Sequence, residues 1–291
     1  MSVFKGAGVA IVTPMHDDGS VNFEKLRELI EFNISNNSDA IIVCGTTGEA
    51  KTLNDKEHKD VVRFTVEVVN KRIPVIAGTG SNDTNYSVQM SKYAQSIGAD
   101  ALLLVTPYYN KTSQKGLFLH FKAIADSVDI PCILYNVPSR TGINIEIDTY
   151  KRLSEIENIV AVKEASGNIS QIAQIFAECD LDVYSGNDDQ IVPIMSLGGI
   201  GVISVLSNIA PKQTHDICEH MLKGEYDKAT ELQLKYLDMI NSLFCEVNPI
   251  PVKTALNLMG MDVGPFRLPL CDISDKNRLR VEKSLKNVGL I

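Results

Sequence analysis

Short β-branched, apolar runs alternate along this chain with longer amphipathic ones, and that alternation narrows the possible folds more than any other feature. The short runs cover residues 8–13, 40–44, 74–78, 101–106, 132–135, 159–163, 183–185 and 201–205. Between them, residues 22–36, 55–70, 84–97, 114–128, 146–156, 169–178 and 190–197 carry helical periodicity. Helix-start chemistry agrees: Asn54 with Glu57 three residues later predicts a capping box, and Asp83-Thr84 and Thr112-Ser113 offer cap residues. Repeated strand–helix alternation predicts an all-parallel sheet. At 291 residues the expected α/β architecture is a closed (β/α)8 TIM barrel. An open doubly wound sheet would carry a Gly-x-Gly-x-x-Gly turn after its first strand; here that turn reads Thr13-Pro14-Met15-His16-Asp17-Asp18-Gly19. After Val205 only helical patterns follow, at 208–223, 226–245, 250–259 and 274–287. The last three exceed what a barrel needs. A catalytic barrel over 1–224 and a C-terminal helical domain over 225–291 are therefore expected.

A net charge of −8 and a pI near 5.2 argue against nucleic acid as a partner, since phosphate binding needs a basic patch. The six cysteines are scattered and form no Cys-x-x-Cys pair, a pattern that suits a reducing cytosol. Residues 1–6 lack the charged region and apolar core of a signal peptide, and no apolar run is long enough to span a bilayer. The expectation is a cytoplasmic protein without a membrane partner.

A parallel barrel places its active site at the C-terminal ends of its strands, and reactive residues cluster there. The run Ile159-Val160-Ala161-Val162-Lys163-Glu164 ends a strand in a lysine. Burial disfavours a charged ammonium, and a neutral amine is a nucleophile towards carbonyl carbon; the ordinary alternative is a lysine snorkelling to solvent. Side chains alternate along a strand, so Ile133 and Tyr135 share one face of their strand, as Ala161 and Lys163 do of theirs. With both pairs inward, Tyr135 and Lys163 meet at one rim, where a phenol can shuttle protons. The turn Gly45-Thr46-Thr47-Gly48-Glu49 has glycines that permit a tight bend with N–H groups facing a ligand, which suits a small carboxylate, although a plain strand-to-helix turn has the same composition. Tyr108-Tyr109 follow the fourth strand, where packing is the ordinary role for at least one of them. Arg140 follows the fifth and can clamp a carboxylate bidentately.

Other polar groups read as structural. Asp188-Asp189 suit a helix N-terminus. His215, Cys218 and His220 lack the i, i+4 spacing that puts ligands on one helix face. Gly198-Gly199-Ile200-Gly201 precedes a strand and so falls at the opposite rim. Nothing calls for a metal or a nucleotide.

The segments Gly45–Glu49, Tyr135–Gly142, Val162–Asn168 and Asn248–Lys253 resemble those of the dihydrodipicolinate synthase (4-hydroxy-tetrahydrodipicolinate synthase) family, in the pyruvate-dependent class I aldolase superfamily that includes N-acetylneuraminate lyase. The resemblance runs over essentially the whole chain. It implies that Lys163 forms an imine with pyruvate and needs no other cofactor. Thr46 and Thr47 would hold the pyruvate carboxylate, and Tyr135, Thr47 and Tyr109 would form a proton relay, with Tyr109 reaching into a neighbouring subunit's site. Gly186 and Ile203 would supply main-chain carbonyls, and Arg140 would receive the carboxylate of L-aspartate-4-semialdehyde. The implied assembly is a homotetramer of two tight dimers, and the implied role is the committed step of lysine and diaminopimelate biosynthesis.

One departure stands out. Lysine-inhibited relatives carry small residues, histidines and a glutamate at a regulatory cleft. The matching positions here are Ala50, Lys51, Asp55, His58, Asn82, Tyr86 and Tyr108. Lys51 replaces a small neutral residue and Tyr86 replaces the acid, so a cationic effector meets repulsion and loses its partner; little or no inhibition by L-lysine is expected. The enzymatic alternative is N-acetylneuraminate lyase or another sugar-acid aldolase, which shares the lysine and tyrosine but not Arg140 and the second threonine. A non-catalytic barrel serving as a binding module is the alternative of another class, and it would be expected to lose Lys163, Tyr135 or the tyrosine pair.

Overall fold

A computed structural model describes residues 2–291. Its eight strands are β1 (Gly6–Ala10), β2 (Ala40–Val43), β3 (Val75–Gly78), β4 (Ala101–Val105), β5 (Cys132–Asn136), β6 (Ile159–Glu164), β7 (Asp182–Ser185) and β8 (Gly201–Ser204). They close in sequence order into an all-parallel barrel. The helices that follow the strands are α1 (Phe23–Ser35), α2 (Asp55–Val69), α3 (Thr84–Ser96), α4 (Gln114–Ala125), the single turn α5 (Pro138–Thr141), α6 (Ile147–Ser154), α7 (Ile169–Glu178), α8 (Ile191–Ser196) and α9 (Pro211–Leu222). Helices α10 (Tyr226–Ser242), α11 (Ile250–Leu258) and α12 (Asp275–Val288) complete the chain. The fold is the expected TIM barrel with C-terminal helices.

Strand alternation divides the core into two layers. Inward residues, among them Ile42, Ile76, Leu103, Ile133, Ala161, Tyr184 and Ile203, fill the barrel. Outward residues, among them Ile41, Leu102, Leu134, Val162 and Val183, pack beneath the helices. Phe4 plugs the N-terminal mouth: its ring stacks on Tyr184 at 4.3 Å, and the Tyr184 hydroxyl donates to the Phe4 carbonyl at 2.7 Å. The outer layer runs without a break into α10, α11 and α12 through Tyr236, Met239, Ile240, Val252, Leu256 and Leu285.

The capping box at α2 is present in both directions. Asp83 caps α3, and Ser113 rather than Thr112 caps α4. The first strand lies earlier than its β-branched run predicts. Gly6 pairs with Gly201 in a contact so close that a Cβ on Gly201 would fall 1.9 Å from the Gly6 carbonyl oxygen. Beyond Ile11 the chain leaves the barrel: the Val12 N–H goes to Asn208 Oδ1 and the Met15 N–H to the Val263 carbonyl. The β-branched residues past Ile11 mark burial there rather than strand pairing.

Candidate active site

Strand register brings the two central side chains together. Tyr135 of β5 is level with Lys163 of β6, and Lys163 is level with Tyr184 of β7. Ile133 and Ala161 sit beneath them on the same inward face, so the short Ala161 side chain leaves the lysine stem its space. Lys163 is 6% exposed, and its Nζ lies 4.5 Å from the centre of the Tyr135 ring.

The outward neighbour of Lys163 is also held tightly. Glu164 is buried and accepts hydrogen bonds from Tyr150 Oη at 2.9 Å, the Ser166 N–H at 2.9 Å and Asn136 Nδ2 at 3.1 Å. Burial pushes its carboxyl pKa up, and the hydrogen bonds oppose that rise. This network clamps the C-terminal end of β6 to β5 and α6.

The Gly45–Glu49 turn closes one side. Left-handed backbone angles fall at Cys44 (φ 55°), just before the turn, and at Glu49 (φ 53°), its last residue. Glycine matters one strand over, where a Cβ on Gly78 would sit 2.2 Å from the Cys44 carbonyl oxygen. Among the described residues, the backbone N–H groups of Thr46 and Thr47 make no hydrogen bond within the chain, which leaves two donors for an anion. Thr47 is buried, and its Oγ1 accepts a hydrogen bond from Asn248 Nδ2 at 3.0 Å. Arg140, exposed on α5, donates from Nη2 to the Asn248 carbonyl at 3.1 Å.

A cavity of about 380 Å3 has Thr46, Tyr135, Arg140, Asn248, Lys51 and Tyr108 on its wall; Thr47 is not on it. Lys163 is not itself on that wall; its Nζ lies over the ring of Tyr135, which is. Gly186 follows β7 and donates its N–H to the Glu164 carbonyl at 2.8 Å. Ile203 lies in the barrel interior. Tyr109 points away: it is 92% exposed and has a left-handed φ of 67°, a conformation that costs a non-glycine residue about 1–3 kcal/mol.

Of the regulatory-cleft positions, Ala50, Lys51 and Tyr108 lie on the same wall, and Asp55, His58, Asn82 and Tyr86 do not. Lys51 Nζ donates to the Gly80 carbonyl at 2.8 Å and lies 5.2 Å from the centre of the Tyr108 ring. His58 is buried, with Nε2 2.9 Å from the Gly78 carbonyl and Nδ1 3.5 Å from the Tyr86 hydroxyl. Burial, then the nearby Lys51, lowers its pKa to about 4. Asp55 pairs with Lys59 at 2.8 Å, the Asn82 carbonyl accepts from Asn110 at 3.1 Å, and Ala50 is buried.

Asp188 stands in the first turn of a short 3-10 helix, as its position suggests, and has a further role. It is buried and accepts from Ser204 Oγ at 2.5 Å and from the Val205 and Leu206 N–H groups at 3.0 Å each, fixing the exit of β8 just past Ile203. His215 Nδ1 pairs with Asp39 Oδ2 at 2.8 Å, while Cys218 is buried. Two elements of the site carried no role in the sequence. Asn248 is one. The other is the ion pair of Lys253 with Glu49 at 2.9 Å, whose side chains are both 0% exposed. Lys253 Nζ also donates to the Pro265 carbonyl at 2.6 Å. The available signal was a lysine inside the apolar run Ile250-Pro251-Val252-Lys253-Thr254-Ala255-Leu256, the same anomaly that marks Lys163.

The model of the dihydrodipicolinate synthetase family matches residues 3–288. A curated 4-hydroxy-tetrahydrodipicolinate synthase of Clostridium novyi is 58% identical over 289 residues, 99% of this chain and 97% of that one. Its counterpart in Clostridium tetani is 59% identical over 294 residues and all of both chains. The crystal structure of a dihydrodipicolinate synthase from Acinetobacter baumannii complexed with pyruvate superposes with a TM-score of 0.96 at 46% identity, covering 99% of each chain.

Proposed function

The chain belongs to the dihydrodipicolinate synthetase family, and on that premise we propose that it condenses pyruvate with L-aspartate-4-semialdehyde through an imine on Lys163. The observation that carries this reading is the buried lysine in register with Tyr135 at the strand ends. In this mechanism the Lys163 amine adds to the pyruvate ketone and water leaves. The imine draws electrons from the methyl group, so a proton departs and an enamine forms. The enamine carbon attacks the aldehyde, whose oxygen takes a proton. The amine of the adduct then attacks the imine carbon, closes the ring and releases Lys163, so hydrolysis is not required. Tyr135 and Thr47 carry the protons, and the free Thr46 and Thr47 N–H groups receive the pyruvate carboxylate. Gly186 and Ile203 contribute their main-chain carbonyls. Apart from this covalent imine no cofactor takes part.

Arg140 receives the semialdehyde carboxylate. Replacing it with alanine is expected to raise the KM for the semialdehyde roughly 10- to 100-fold, the worth of a charge-assisted hydrogen bond. Borohydride trapping of pyruvate on that variant should proceed as in the wild type; lost trapping would move Arg140 to the pyruvate step. Tyr109, held outward in a strained conformation, completes the relay of a neighbouring subunit in a homotetramer of two tight dimers. The setting is cytoplasmic; among the described residues no helix is long and apolar enough to cross a membrane.

L-lysine inhibits this enzyme weakly or not at all. Lys51 already presents a cation beside Tyr108, Tyr86 stands where an acid would receive an ammonium, and Asp55 is engaged with Lys59. Initial rates are expected to change little or not at all with millimolar L-lysine; half-inhibition at submillimolar lysine would contradict this. The substrate assignment is tested by pyruvate-dependent consumption of L-aspartate-4-semialdehyde, coupled to the downstream reductase, with N-acetylmannosamine as the competing acceptor. Turnover with the semialdehyde alone is expected. Turnover only with the sugar would assign the chain to the lyase branch.

A further inference from the structure

Two cross-links tie the C-terminal helical segment to the Gly45–Glu49 turn: Asn248 to Thr47 and Lys253 to Glu49, each between residues some two hundred positions apart. The second is a buried ion pair with a plain anchoring role. The first touches the proton relay itself. We propose that Asn248 is a positioning residue that sets the direction in which Thr47 hands on its proton. The proposal rests on the condensation described above.

The argument begins with hydrogen-bond inventory. A threonine hydroxyl has one O–H to donate and two lone pairs that accept. Asn248 Nδ2 donates to Thr47 Oγ1 at 3.0 Å, so one lone pair is filled and the Thr47 proton must be directed to another acceptor. Thr47 is 3% exposed, which leaves little water to take that place. A hydroxyl fixed in this way is a donor of known sense, as one link of a relay requires. An aspartate at 248 would reverse the bond, because a carboxylate only accepts.

A second observation separates this role from packing. Asn248 is 5% exposed, and its Oδ1 is buried with no hydrogen-bond partner among the described residues. An orphaned buried acceptor costs about 1–3 kcal/mol, so a leucine or alanine would serve a purely structural position better. The same residue also meets the other end of the site: its carbonyl accepts from Arg140 Nη2 at 3.1 Å. That contact uses backbone and survives replacement of the side chain. Side-chain variants should therefore disturb the Thr47 proton and leave the Arg140 contact intact.

The test compares the wild type with Asn248→Ala, Asn248→Asp, Thr47→Val and the double variant Thr47→Val/Asn248→Ala in the coupled assay with pyruvate and L-aspartate-4-semialdehyde. Asn248→Ala is expected to lower kcat by about 10- to 100-fold, part of the contribution of a positioned acid–base group, with both KM values unchanged. Asn248→Asp, nearly the same size, should fall further, because it draws the Thr47 proton onto itself. The double variant should be no slower than Thr47→Val, since residues acting through one another are not additive. Additive losses, a wild-type kcat in Asn248→Ala or Asn248→Asp, or a loss confined to KM would each overturn the proposal. If the wild type itself fails to turn over the two substrates, the underlying reaction falls and this role falls with it. A working wild type with additive variants overturns the Asn248 role alone.

Discussion

Replacing Lys163 with alanine is expected to lower turnover by at least about a thousandfold, as removing a covalent nucleophile does, while the protein still folds. The two halves of that result come from different features. The chemistry is lost because no other lysine stands at that point of the inward face: β6 presents Ala161 and Lys163 to the interior, and Tyr135 and Tyr184 flank the latter in register. The fold survives because Glu164, on the opposite face, keeps its bonds to Tyr150, Asn136 and Ser166, and because no carboxylate is paired with Lys163 at ion-pair distance in the described residues. Steady-state kinetics and a thermal melt on one preparation check both halves. Appreciable turnover would remove Lys163 from the mechanism, and a collapsed melt would make it a structural residue.

The second large effect concerns stability. Changing Lys253 to methionine is expected to destabilise the protein by about 3–5 kcal/mol, the loss seen when a buried ion pair is broken from one side. Lys253 connects Glu49 with the Pro265 carbonyl and the Thr13 carbonyl, so it joins α11 to the turn after β2 and to the chain that leaves β1. Burial lowers its pKa, and Glu49 only partly opposes that; methionine leaves the buried Glu49 without its cation, with only the Arg267 N–H at 3.4 Å. The double variant Lys253→Met/Glu49→Gln should recover part of the loss, because no uncompensated charge remains. Thermal midpoints are the readout, with a fall of roughly 5–15 °C for the single variant. A single variant as stable as the wild type would mean that water reaches the pair. A double variant worse than both singles would point to the hydrogen-bond geometry of Glu49 rather than its charge.

The parts of this site that could be read in the sequence are those fixed by short-range periodicity. Alternation along a strand decides which face a side chain occupies, so Tyr135 and Lys163 follow from their own strands and from the order in which strands close a barrel. The caps at Asn54 and Asp83 are equally local, since each bond spans two or three residues. What could not be read depends on partners far along the chain. Asn248 meets Thr47, and Arg267 forms a bidentate pair with Glu57 at 2.6 and 2.7 Å and donates to the Gly19 and Thr52 carbonyls; no local pattern specifies either. At the Gly45–Glu49 turn the left-handed angles of Cys44 and Glu49 and the distant Glu49–Lys253 pair had no local signal either. At Asp188 the place in a first helical turn was legible, but the three donors at the end of β8 that hold its carboxylate were not.

The most direct test of the account is to mix the wild-type protein with pyruvate, add sodium borohydride and map the modified peptide by mass spectrometry. A single reduced pyruvate adduct on Lys163 is the expected result. An adduct on another lysine, or none under conditions where the enzyme turns over, would contradict imine catalysis at this position.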